Sequence, residues 1–348
     1  MAGFDLQRFI AKTLLSMPDP ILRAMSGGGA VELGGRVLDP RFQFMAHAGR
    51  SAPPLADVAP AIARVGSAAS LAAVAGRPEP GVASEDFAID GPGGPLPLRA
   101  YRPAVQDPAA PLMVFAHFGG GVIGDLETCD VFCRILARGA HCAVLSVDYR
   151  LAPEHRFPAG LEDMLAAYRW ARDNGPRFGA PAGKAAIGGD SMGGNFAAVI
   201  AQEMRRMGEA QPVLQLLIYP AVDVASQTQS MSTYAEAYPL SRQTMEWFMS
   251  HYLAPSDDRA DPRASPIRTA DLSGLAPAVI VTAGFDPLVD QGEAYAKRLS
   301  DARVPVIYRC YDHLAHAFTA FTGAVPAADI ACREIAGMVR EGFEGRIH

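Results

Sequence analysis

A serine hydroxyl becomes a working nucleophile only if the chain exposes it, supplies a base, and aims hydrogen-bond donors at the charge that develops on the substrate. The stretch Ile187-Gly188-Gly189-Asp190-Ser191-Met192-Gly193-Gly194 meets the first condition in its pattern, Gly-x-Ser-x-Gly between an apolar run and a helical one. A serine on a sharp strand-to-helix turn sits on strained backbone and is pushed out of the sheet. Gly189 and Gly193 bring no Cβ into that turn, and the following helix adds unpaired N–H groups beside Ser191. A second glycine-rich piece, His117-Phe118-Gly119-Gly120-Gly121, follows the apolar run 112–116. Backbone N–H groups converging there suit the oxyanion of a tetrahedral intermediate. The competing reading is a phosphate loop. It lacks a GxGxxG with its acidic partner, and segment 179–185 is too short for a P-loop and has no Ser or Thr.

The base and its orienter should follow the serine, acid first and histidine second, each after a later strand. Asp286 stands past the apolar run 278–282, and His316 past the run 306–311. Each has a rival. Asp290 is one helical turn beyond Asp286; His313 is nearer its strand and is preceded by Asp312. Spacing favours Asp286 over Asp290 and, more narrowly, His316 over His313. Each residue taken alone also fits a helix-capping aspartate or a surface histidine.

These residues need a scaffold, and the hydrophobic pattern supplies one. Short continuous apolar runs at 112–116, 142–147, 185–187, 213–218, 278–282 and 306–311 suit strands buried on both faces of a parallel sheet. Helical periodicity at 161–174, 193–209, 291–304 and 327–341 fills most gaps. Alternation around Gly91-Pro92-Gly93-Gly94 predicts a β-hairpin. Strands alternating with helices predict an α/β fold with a mostly parallel sheet. Residues 1–80 read as helical pieces broken by Gly and Pro. Residues 224–268 break the rhythm and read as a helical insertion at the strand ends, where open α/β sheets bind ligands.

Composition narrows the function classes. The net charge is −6 without a Lys/Arg block, which argues against nucleic acid or anionic lipid as partner. Five cysteines at irregular spacing (Cys129, Cys133, Cys142, Cys310, Cys332) read as ordinary buried thiols rather than a disulfide framework or metal site. No stretch reaches the roughly 18 apolar residues of a membrane span. Leu6, Ile10, Leu14 and Met17 recur at helical spacing, predicting an amphipathic helix that packs on its own protein. The start has no signal-peptide pattern, so the expected location is cytoplasmic.

The chain resembles the hormone-sensitive-lipase-like α/β-hydrolases, the bacterial family IV esterases, from about Leu38 to Met338. The residues that carry the likeness are Gly189-Asp190-Ser191-Met192-Gly193-Gly194, Asp148-Tyr149-Arg150-Leu151-Ala152-Pro153-Glu154-His155, Asp261-Pro262-Arg263-Ala264-Ser265-Pro266, Asp286-Pro287-Leu288-Val289-Asp290 and His316-Ala317-Phe318. The resemblance implies Ser191 as nucleophile, Asp286 as acid and His316 as base. It also implies an α/β-hydrolase core at 81–223 and 269–348, with a cap formed by 1–80 and 224–268. The Asp148–His155 segment is structural in that family. Three departures from its pattern involve four positions. Where the family shows His-Gly-Gly-Gly-aromatic, this chain has Phe118 for the first glycine and Gly121 for the aromatic, which reshapes the expected pocket wall. Met192 replaces an alanine, and Ala317 a glycine.

The expected activity is serine carboxylic-ester hydrolysis of small to medium acyl esters, with Gly119, Gly120 and Met192 donating to the oxyanion and Phe118 and Gly121 shaping the substrate pocket. No metal or organic cofactor is called for. The same triad on an amide, lactone or carbamate is the alternative; a non-catalytic ligand-binding protein of the same fold is the remaining one. The family is compatible with a homodimer.

Overall fold

The computed structural model describes residues 12–347. The N-terminal pieces are α1 (Asp19–Met25), a two-stranded hairpin of β1 (Glu32–Leu33) and β2 (Arg36–Val37), α2 (Pro40–Gly49) and α3 (Pro60–Val74). The hairpin corrects the expectation of helical pieces alone. Gly34 and Gly35 take φ of 58° and 75°, the left-handed turn that matches strand twist, but strands of two residues leave no alternation to read. Of the expected Leu6-to-Met17 helix, only residues from 12 onward lie within the described range; 12–15 are helical, with Leu15 rather than Leu14 buried.

The central sheet has eight strands in the order β10-β9-β8-β7-β5-β6-β4-β3. These are β3 (Val82–Gly91), β4 (Gly94–Pro103), β5 (Leu112–Ala116), β6 (Val144–Val147), β7 (Ala185–Asp190), β8 (Gln215–Ile218), β9 (Ala278–Phe285) and β10 (Val306–Ala315). Only the pairings of β4 with β3 and β6 are antiparallel; the rest are parallel. The expected α/β architecture and hairpin are therefore present. Strand ends moved: β7, β9 and β10 run on beyond their apolar runs, while β6 and β8 start two residues later.

The sheet is covered on both faces, which is why its inner strands read as unbroken apolar runs. Leu112, Val114 and Ala116 of β5 point into one core, with α5 (Ala159–Asn174), α6 (Met192–Arg206) and α9 (Val289–Asp301). Met113 and Phe115 point into the other, with α4 (Asp130–Gly139) and α10 (Pro326–Phe343). Each fully buried Leu, Val or Phe contributes roughly 1.5–3 kcal/mol, so the carboxyl ends of β5 to β10 are held as a rigid edge. Residues 224–268 leave that edge between β8 and β9 and include α7 (Gln229–Thr233) and α8 (Arg242–Tyr252). In contrast to the sheet helices, α3 has Ala63 as its one buried residue. No helix among the described residues is long and apolar enough to cross a membrane.

Candidate active site

Ser191 is the single residue between β7 and α6, at φ 55° and ψ −115°. This conformation is uncommon for a residue with a Cβ and costs energy that the flanking core supplies. The start of α6 lies so close to β5 that a Cβ on Gly193 would sit 2.0 Å from the Ala116 carbonyl oxygen. The Ser191 N–H donates to the Ile218 carbonyl at 2.9 Å, tying the turn to β8.

Asp286 and His316 are the residues that directly follow β9 and β10, whose pairing brings Phe285 opposite Ala315. His316 Nδ1 lies 2.6 Å from Asp286 Oδ2, and His316 Nε2 lies 2.9 Å from Ser191 Oγ. All three are buried: Ser191 is 8% exposed, His316 5% and Asp286 0%. Since the carboxylate accepts, Nδ1 carries the proton and Nε2 is left to accept from the hydroxyl. Asp286 Oδ1 accepts from the Leu288 N–H at 2.8 Å, which fixes the carboxylate plane.

The rivals have other partners. Asp290 Oδ2 accepts from the Ser230 N–H at 2.7 Å and so caps α7. Asp312 pairs with Arg36 at 2.9 Å, and the His313 carbonyl accepts from the Asp39 N–H while its side chain faces solvent. The cysteines are all free thiols, four of them buried. Among the described residues no three His, Cys, Asp or Glu side chains gather as a metal site.

The glycine loop beyond β5 is aimed by three hydrogen bonds to two of its carbonyls. His117 Nδ1–H donates to the Phe118 carbonyl at 2.7 Å; burial pushes this imidazole down to about 4, keeping it neutral. The Gly119 carbonyl accepts from Val122 N–H and Ile123 N–H, both at 3.0 Å. A trans peptide points its N–H opposite to its carbonyl. Fixing the carbonyls of Phe118 and Gly119 therefore turns the N–H groups of Gly119 and Gly120 away from the loop interior. The N–H of Met192, the first residue of α6, has no intrahelical acceptor. Gly119, Gly120, Ser191, Met192 and His316 all line one cavity of about 250 Å³. Ser67, Leu71 and Val74 of α3 and Met231, Leu240 and Phe248 of the insertion form other parts of its wall.

Phe118 is on that wall; Gly121 is not. Tyr252 of α8 covers Gly121, and a Cβ there would meet Tyr252 Cδ2 at 2.6 Å. Met192 lines the wall as well. Ala317 takes the left-handed φ of 60°, a conformation that costs an alanine about 1–2 kcal/mol. Alanine there carries a backbone cost that a glycine would not.

The sequence reading also missed a buried network under the triad. Asp190 Oδ2 accepts from Thr319 Oγ1 at 2.8 Å and from Tyr219 Oη at 2.9 Å, and the Tyr219 ring lies 4.8 Å from that of His316. It joins the residue before Ser191 to the segment after His316, over a separation of 129 residues that no local pattern reveals. Burial pushes the Asp190 carboxyl up to about 6, against the pull of the Thr319 and Tyr219 hydroxyls. The unfolded value is about 3.9, so between about pH 4 and pH 6 the folded state binds more protons and stability falls as pH rises. Asp190→Asn keeps an acceptor oxygen and removes the titration. Its melting temperature relative to the wild type should therefore rise from pH 4 to pH 7. A difference that stays flat or declines over that interval would contradict this account.

Comparison with known proteins adds an independent line. Residues 113–320 match the model of a family described as having the alpha/beta hydrolase fold. The chain is 43% identical over 315 residues to the carboxylic ester hydrolase LipN of Mycobacterium tuberculosis, covering 88% of this chain and 84% of that one. It is 38% identical over 264 residues to an ethyl acetate hydrolase of Pseudomonas putida, covering 75% and 83% respectively. An ester hydrolase from the metagenome of Lake Arreo, solved with a bipyridine phosphonate derivative, superimposes with a TM-score of 0.85 at 38% identity. That alignment covers 88% of this chain and 99% of the other. A thermostable esterase from Pseudomonas putida gives 0.82 at 30% identity, covering 90% and 98%.

Proposed function

The chain belongs to the α/β-hydrolase family, in its hormone-sensitive-lipase-like branch, and from that premise we propose how it works as a carboxylic ester hydrolase. The observation that carries the reading is the continuous line Asp286–His316–Ser191, with links of 2.6 and 2.9 Å at the floor of an apolar cavity. Ser191 Oγ attacks the acyl carbon as His316 Nε2 takes its proton. Asp286 holds the ring in the productive tautomer and stabilises the imidazolium. The N–H groups of Gly119, Gly120 and Met192 receive the negative charge on the former carbonyl oxygen. The tetrahedral intermediate collapses, His316 gives its proton to the leaving alcohol, and an acyl-Ser191 ester remains. Water then attacks that ester by the same route, giving back the carboxylic acid and the Ser191 hydroxyl. Every proton in this cycle moves through His316.

The cavity sets the substrate size. At about 250 Å³ it lies just below the range of about 300 to 1,000 Å³ typical of ligand pockets. Its apolar wall suits an acyl chain, and residues 1–80 with 224–268 act as the cap that closes over it. The reading thus includes small to medium acyl esters as substrates, with a cytoplasmic location and a homodimer as its outer expectations. A series of p-nitrophenyl esters from acetyl to palmitoyl tests it, with matched anilides for the amide alternative. The kcat/KM should be highest toward the short end and should collapse for palmitoyl. Phe118→Ala should move the optimum to longer chains, since each methylene accommodated is worth about 10–200-fold. A wild-type optimum at palmitoyl, or anilides cleaved faster than esters, would overturn the assignment.

A further inference from the structure

Gly119, Gly120 and Gly121 take φ of 126°, 63° and 72° and have no side chains with which to anchor themselves. What holds them comes from outside the sheet. On one side α8 presses down: a Cβ on Gly120 would meet Phe248 Cγ at 2.3 Å, and Tyr252 covers Gly121. On the other side stands Arg64 of α3. Its Nε donates to the Val122 carbonyl at 2.8 Å and its Nη2 to the Ala152 carbonyl at 2.8 Å. Both termini of the guanidinium also reach Glu154, at 3.0 and 2.6 Å.

The two carbonyls belong to residues whose N–H groups hold the glycine loop. Val122 N–H donates to the Gly119 carbonyl at 3.0 Å, and Ala152 N–H donates to the Gly121 carbonyl at 2.8 Å. Arg64 therefore grips the carbonyls of the two residues whose N–H groups hold the loop at either end. Its own helix is otherwise anchored at the far end, where Leu71 and Val74 pack on the core and the Val74 carbonyl accepts from Gly323 N–H at 3.0 Å; near Arg64 it is lightly held. Ala63 is its buried residue, while Ile62 and Val65 are 66% and 73% exposed. Ser67, Leu71 and Val74 lie three, seven and ten residues past Arg64, on the same stripe of the helix, and line the substrate cavity.

We propose that Arg64 is a positioning residue for the oxyanion loop: it couples the seating of α3 over the substrate to the aim of the Gly119 and Gly120 N–H groups. This rests on the esterase reading above. A substrate that fills the cavity touches the same helix face that Arg64 ties to Val122 and Ala152. Contact remote from the reacting carbonyl is thereby turned into transition-state alignment, which raises kcat rather than lowering KM. An ion pair with Glu154 alone would do none of this, since such partly exposed pairs are worth little.

The test compares wild type, Arg64→Met and Arg64→Lys on a p-nitrophenyl ester and on the corresponding thionoester. Sulfur is a larger and weaker acceptor than oxygen, so a well-aimed pair of donors discriminates against it. Arg64→Met should lower kcat about 30-fold, short of the roughly 100-fold that a 1 Å misplacement costs. Its KM should stay within about threefold, and its oxo-to-thiono rate ratio should contract. Arg64→Lys should fall between, because an ammonium cannot grip two carbonyls and a carboxylate in one planar fork; it carries the test if the methionine variant does not fold. A kcat within about threefold of wild type, or a lower kcat or melting temperature with the oxo-to-thiono ratio unchanged, overturns the proposal. Failure of the esterase reading is distinct: the wild type itself would show no ester turnover that depends on Ser191.

Discussion

Replacing Ser191 by alanine should lower kcat on a preferred p-nitrophenyl ester by about 10⁶-fold, the scale seen when a serine-hydrolase nucleophile is deleted. The substitution is a clean probe. Alanine keeps the Cβ, so the left-handed backbone at φ 55° is no more strained than in the wild type, and the fold should be unchanged. The serine and threonine hydroxyls that remain on the cavity wall are engaged elsewhere: Ser226 Oγ accepts from Arg268 at 2.6 Å and Thr244 Oγ1 pairs with Ser241 Oγ at 3.0 Å. Ser67 Oγ donates to the Arg64 carbonyl at 3.1 Å and Ser70 Oγ to the Gly66 carbonyl at 2.9 Å, both on their own helix. Neither meets a histidine. The Gly119, Gly120 and Met192 donors survive, so binding of a product acid should persist, as should a residual rate of about 10³–10⁴ over water. Steady-state kinetics on purified variant, with a circular dichroism spectrum and product binding as controls, decides the matter. Loss of only tenfold in kcat would place the nucleophile elsewhere.

What the sequence discloses about such a site follows from the range of the interactions involved. The Ser191 turn is written in five neighbouring residues, because its steric demands fall on Gly189 and Gly193. The inner strands are equally plain, since both faces of β5, β7, β8 and β9 are buried and, apart from the hydrogen-bonded Asp190 and Gln215, their side chains are apolar or small. At the sheet edge the same logic misleads. β10 continues through Asp312 and His313 to Ala315 because it is the edge strand, exposed at 308–309 and 312–313 and with a register shift between Tyr311 and Ala315, so polar residues do not end it. His316 is thus the first residue after β10, and His313 lies inside it, which spacing counted from a strand end at 311 could not resolve. Arg64, Tyr252 and the Asp190–Tyr219–Thr319 network were out of reach for another reason. Each acts on a residue tens of positions away, through backbone carbonyls or ring faces that any sequence offers. Only the assembled fold makes Arg64 a partner of Val122 and Ala152.

Asp286→Asn should cost about 10⁴-fold in kcat, or about 5.4 kcal/mol of barrier, with a much smaller change in KM. The reason is the direction of two hydrogen bonds. In the wild type Asp286 Oδ2 accepts from Nδ1–H at 2.6 Å, which leaves Nε2 as the acceptor for Ser191. Asparagine keeps one acceptor oxygen, and the Leu288 N–H claims an acceptor on this side chain at 2.8 Å. The asparagine NH₂ then faces Nδ1 as a donor. The imidazole adopts the opposite tautomer, and an Nε2–H meets the serine hydroxyl with no lone pair to offer. Size and packing hardly change, so the loss reports tautomer control rather than unfolding. Asp290 supplies the matched control. Its carboxylate caps α7 through the Ser230 N–H, and Asp290→Asn should leave kcat within about threefold while costing about 1 kcal/mol of stability. The two variants, measured side by side for kcat and for melting temperature, separate the orienting acid from the structural one. If Asp290→Asn lost the activity and Asp286→Asn kept it, the acid would have to reach His316 by a route other than the one this geometry provides.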